Sequence, residues 1–144
     1  MSCIEQHKKG EVLYRAGSFE MWMYLIVSGC VKVVSNLGTE DEVVLSTVPA
    51  GEYFGQIEVV EGLPRTASIV VSEDCELEKI DGEEFGSYFE KHPVECMKII
   101  RQMCSRLKEL YGQFDVVCDT IDSYIASAPE ERTGLFAKLA GLFK

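Results

Sequence analysis

A mainly β domain followed by a long helix is what this sequence predicts, and two observations carry it. Glycines at 10, 17, 29, 38, 51, 55 and 62 separate short runs of strand-forming residues up to about residue 80. Beyond residue 93 the apolar period changes from that of a strand to that of a helix. Many short strands at such spacing build a sandwich or jelly-roll barrel.

The strand runs are Val12-Leu13-Tyr14, Trp22–Val27, Val31–Val34, Val43–Val48, Ser68–Val71 and Glu76–Ile80. Asn36-Leu37-Gly38 fits a hairpin tip, because both Asn and Gly accept left-handed backbone. The segment QIEVVE, residues 56–61, interrupts the rhythm and reads as a single helical turn inside the barrel. Pro93 suits a first helical position, where its missing N–H costs nothing. After it, Ile100, Met103, Leu107, Leu110, Phe114, Val117, Ile121 and Tyr124 recur at alternating spacings of three and four. Such a seam predicts a continuous helix pairing with a second copy in a parallel homodimer. The bland alternative is a helix lying on the barrel. Ser127-Ala128-Pro129 then breaks the pattern. The tail that follows places Leu135, Phe136, Leu139, Leu142 and Phe143 on one helical face, to pack on the domain, dock on a protein partner or touch a membrane surface.

Composition narrows the function. The 144 residues suffice for one core, and 47% are apolar. A formal charge of −10 argues against nucleic acid, whose phosphates demand a basic face. No apolar run reaches signal-peptide or bilayer length, so the expectation is a soluble, cytoplasmic protein. Six cysteines form no CxxC pair, and the two histidines lie far apart, so no metal site is expected and most thiols read as small core residues. GxSxG, Walker and HExxH patterns are absent, so no catalytic residues are assigned and the chain is read as a non-enzyme.

One stretch carries chemistry: FGQIEVVEGLPRTA, residues 54–67. Gly55 lets the chain turn sharply and approach a ligand closely. The amides of Ile57 and Glu58 then lie at the open start of a short helix, and Arg65 supplies a planar, two-pronged donor. Gln56 offers a carboxamide for sugar hydroxyls, and Thr66 a further hydroxyl. A lone arginine in an acidic chain more often pairs with a carboxylate, a contact of about 0–1 kcal/mol at a surface.

The order of these residues resembles the phosphate-binding cassette of the cyclic-nucleotide-binding domain family, the module of catabolite activators, cyclic-nucleotide-dependent kinases and gated channels. The cassette matches at Phe54, Gly55, Ile57, Val59, Val60, Gly62, Pro64, Arg65, Thr66 and Ala67. Gly17, Tyr24 and Gly29 stand at the family's usual turn and core positions, and the likeness runs from about residue 8 to 112. It implies an eight-stranded β-roll with flanking helices and a cyclic mononucleotide, cAMP or cGMP, as ligand rather than a cofactor. Arg65 and the Ile57–Glu58 amides would hold its phosphate. Two positions depart from the pattern. Gln56 replaces the family's ribose-binding glutamate, and Glu58 replaces a small residue, bringing a carboxylate that points either outward or at the anion. On the long helix Leu110 and Tyr111 replace the hydroxyl pair that meets adenine in catabolite activators, and Tyr111 would stack on a purine.

The expected organisation is a binding domain over residues 1–112 with its helix from about 93, a dimer-helix extension over 113–126 and an amphipathic tail over 127–144. About twenty residues after Ile125 are too few for a DNA-reading module. The functional expectation is a cyclic-nucleotide receptor that signals to a protein partner through its C-terminal helix. The alternative is a nucleotide-independent dimerisation or scaffold module with a degenerate cassette.

Overall fold

The computed structural model describes residues 2–111 and 115–127. Two compact units divide the chain, residues 1–86 and 87–144.

Six strands form one antiparallel sheet: β1 (Cys3–His7), β2 (Val12–Tyr14), β3 (Trp22–Ser35), β4 (Val43–Pro49), β5 (Tyr53–Phe54) and β6 (Ser68–Asp81). The order is β1-β6-β3-β4, with β2 also paired to β6 and β5 to β3. This is the mainly β architecture expected, with the strands apportioned differently. Four of the short runs read from sequence merge pairwise into β3 and β6, each 14 residues long. Both are interrupted rather than straight: the β3–β6 register slips between Ile26 and Val31. The slip changes which residues face inward, from Tyr24 and Ile26 to Val31, as an inserted residue must when side chains alternate with a period of two. Each long strand thus does the work of two. Sequence reading missed β1, whose CIEQH is polar and mostly exposed, and β5, which has only two residues.

Gly29 sits at the slip with φ +84, and a Cβ there would lie 2.7 Å from Cys75 Cβ on β6. Left-handed backbone and a strand-to-strand clash act together. Gly29→Ala is expected to cost about 2–4 kcal/mol, read as a lower urea midpoint.

Inside the sheet, Tyr14, Tyr24, Ile26, Val31, Val48, Phe54, Ile69, Val71, Cys75 and Leu77 form the buried cluster. The expected hairpin tip is the β3–β4 turn, with Asn36 at φ 54 and Gly38 at φ 81. The interruption at QIEVVE is helix α1 (Gln56–Glu61).

Helix α2 (Phe85–Lys91) precedes two longer helices, α3 (Pro93–Tyr111) and α4 (Asp115–Ala126). Pro93 opens α3 as expected. In place of one continuous helix, α3 and α4 fold on each other. Met97 and fully buried Ile121 meet, flanked by Cys104, Tyr124 and Ile125, and Arg101 Nε donates to Asp122 Oδ1 at 2.8 Å. The later seam residues Ile121 and Tyr124 therefore pack within the chain. In the sequence Gly112 follows directly on α3, and glycine is the poorest helix former after proline. The early seam residues Ile100, Met103 and Leu107 remain exposed. The tail from residue 128, with its apolar face, lies outside the described residues, as do Phe114 and the side chains of Leu110, Tyr111 and Val117. Among the described residues no helix is long and apolar enough to cross a membrane.

Candidate functional site

Phe54 ends β5 beneath the site, stacked on Tyr24 at a centroid distance of 5.1 Å. Gly55 then turns the chain with φ 83 and caps α1. At the far end Gly62, also left-handed, closes the helix by donating its N–H to the Glu58 carbonyl. The chain passes exposed Leu63 and Pro64 and reaches Arg65. Its main chain is clipped to the turn before β3: Arg65 N–H donates to Ser18 O at 2.8 Å, and Gly17 N–H to Arg65 O at 2.7 Å.

The Arg65 side chain is fully enclosed, with 0% of it exposed. Nη1 donates to the Gly55 carbonyl at 2.8 Å, and Nη2 donates to the Trp22 carbonyl. The guanidinium carbon lies over the Tyr14 ring, 4.2 Å from its centre. Burial pushes the Tyr14 phenol well above its ordinary pKa, and the face of the ring is used by the cation. Two carboxylates complete the surroundings: Glu20 Oε2 lies 3.8 Å from Nε, and Glu58 Oε2 lies 3.7 Å from Nη1. Both are ion pairs at distances too long for a good hydrogen bond. Arg65 Nε and Glu20 Oε2 are each buried without a hydrogen-bond partner.

Glu58 settles the orientation that the sequence left open. Its side chain points inward and is only 12% exposed. Oε1 accepts from the Thr66 hydroxyl at 2.8 Å and, weakly, from the Thr66 N–H at 3.5 Å. One carboxylate thus gathers the Thr66 donors on one oxygen and the Arg65 charge on the other. Gln56 is buried beside it in sequence, with Nε2 lacking a hydrogen-bond partner. An orphaned amide of this kind costs about 1–3 kcal/mol until an acceptor arrives.

The structure therefore brings Gly55, Glu58, Arg65 and Thr66 together, with Phe54, Gln56 and Ala67 buried around them. Ile57 faces outward at 49% exposure, leaving only its backbone for the site. The side chain of Tyr111 lies outside the described residues. Sequence reading missed Tyr14, Glu20 and Trp22, which hold Arg65 from more than forty residues upstream. It also missed the Thr66 N–H as a donor.

A sequence model described as the cyclic nucleotide-binding domain matches residues 4–92. A putative potassium channel protein of Rhodopseudomonas palustris is 29% identical over 119 residues, covering 77% of this chain and 28% of that protein. The chain thus spans under a third of that relative's length. Among solved structures, the Thermus thermophilus catabolite activator protein superposes with a TM-score of 0.65 at 24% identity, over 83% of this chain and 56% of that one. The regulatory subunit of a cAMP-independent protein kinase A from Trypanosoma brucei superposes with a TM-score of 0.52 at 22% identity, over 56% of this chain and 28% of that one.

Proposed function

The chain belongs to the cyclic nucleotide-binding domain family, and on that premise we propose that it is a receptor for a cyclic mononucleotide, cAMP or cGMP. It acts by binding rather than catalysis, in the cytoplasm, and hands its bound state to a protein partner through the helices after residue 93. One observation supports this most: Arg65 and the Thr66 donors converge on a single anionic group, the Glu58 carboxylate, beside the Gly55 turn. A phosphodiester would offer those donors the same two oxygen acceptors, and the orphaned Gln56 amide is a donor that a ribose hydroxyl could satisfy. Because the Arg65 main chain is bonded to Gly17 and Ser18, a ligand that moves the guanidinium biases that turn as well. The shift is limited by the ligand's preference for one state over the other.

Calorimetric titration of cAMP and cGMP into the full chain tests the proposal. A saturable heat with one or both nucleotides is expected; no heat from either at millimolar ligand overturns it.

A second reading is favoured by the two carboxylates around Arg65 and by the exposed Ile100, Met103 and Leu107. It is a nucleotide-independent module that assembles as a homodimer through α3. Light scattering distinguishes it: a dimer whose mass and stability ignore both nucleotides supports this reading, and a monomer removes it.

A further inference from the structure

We propose that the Glu58 carboxylate is the cassette's own resident anion, standing where the ligand's phosphate would, so that this residue sets the binding threshold. The phosphate part of this statement rests on the receptor function proposed above; the internal-anion part rests on geometry alone.

A carboxylate and a phosphodiester present the same thing to a donor set, two oxygens sharing about one negative charge. Glu58 spreads that pair across the cluster, Oε1 on Thr66 Oγ1 at 2.8 Å and Oε2 facing Arg65 Nη1 at 3.7 Å. A fully enclosed guanidinium needs a counter-charge, because an unpaired buried ion is costly. Here it has two, Glu20 and Glu58, against its single positive charge. An incoming anion would meet two like charges at close range, so one carboxylate must give way. Glu58 is the one that engages the donors, whereas Glu20 Oε2 makes no hydrogen bond. Loss of Glu58 does not release Arg65, which stays held by the Gly55 and Trp22 carbonyls and the Tyr14 face. Removing the Glu58 side chain therefore leaves a formed site in which the Thr66 donors and Arg65 Nε have no acceptor.

The experiment compares wild type, Glu58→Ala and Glu58→Gln in chloride buffer at constant ionic strength. Each is melted with and without inorganic phosphate and titrated with cAMP and cGMP. Glu58→Ala is expected to melt below wild type in chloride and to recover with millimolar phosphate, while wild type ignores phosphate. It is also expected to bind nucleotide at least tenfold more tightly than wild type. Glu58→Gln keeps an acceptor for Thr66 without the charge, and gives a smaller phosphate response in the same direction. Phosphate rescue of the variants with no nucleotide binding by any protein supports the resident-anion assignment and removes the receptor function. Nucleotide binding that is equal in all three proteins, with no phosphate rescue, overturns the assignment and leaves the receptor function standing. If Glu58→Ala does not fold, absence of a phosphate response in Glu58→Gln overturns it.

Discussion

Arg65→Leu is expected to lower stability by about 3–5 kcal/mol, the range for removing one member of a buried ion pair. The reason lies in what remains behind. Two carboxylates, Glu20 and Glu58, lose their shared cation, and the Gly55 and Trp22 carbonyls lose their donors inside the protein. The cation–π contact with Tyr14 goes too. Arg65→Lys is not expected to rescue it. An ammonium is compact, lacks the planar fork that serves two carbonyls at once, and cannot lie flat on a ring. Urea denaturation of the three proteins checks this, with the two variants falling together well below wild type. A Lys variant within about 1 kcal/mol of wild type would mean that charge alone, and not the fork, is what the site uses.

Gly55→Ala carries the second large effect, about 2–4 kcal/mol. Its φ of +83 already disfavours any side chain, and a Cβ there would lie 2.8 Å from Arg65 Nη1. Gly38→Ala is the matched control: its φ is +81, but a Cβ would meet nothing within 4 Å. The difference between the two variants isolates the close approach from the backbone strain. Equal losses would show that Gly55 is required for the turn alone.

Much of this molecule is written in short-range pattern. Gly and Asn mark the β3–β4 turn, the QIEVVE interruption marks α1, and Pro93 marks the start of α3, each because local backbone preference decides it. The clustering of Gly55, Glu58, Arg65 and Thr66 was legible for the same reason, since these residues are close in the chain. What escaped is what the fold brings from afar. Nothing in the sequence around Glu20 or Tyr14 says that they enclose Arg65, because that contact depends on how the 17–18 turn meets Arg65. The α3–α4 pairing escaped through an ambiguity of period. A three-and-four repeat is satisfied equally by a partner chain and by the chain doubling back, and Gly112 was too weak a signal to choose. Glu58 lay between these cases: its presence was plain, and its direction was fixed only by the Thr66 and Arg65 contacts.

If a nucleotide phosphate enters the Arg65–Thr66 position, it does so by taking the place of an acid the protein already keeps there. Titrating cAMP or cGMP into isotope-labelled protein, and following the backbone amide signals by NMR, tests it most directly. Saturable shifts are expected, largest at Gly55, Glu58, Arg65 and Thr66, with small changes in the distant β3–β4 turn. Saturable shifts centred elsewhere, or no shifts at millimolar nucleotide in both wild type and Glu58→Ala, would contradict it.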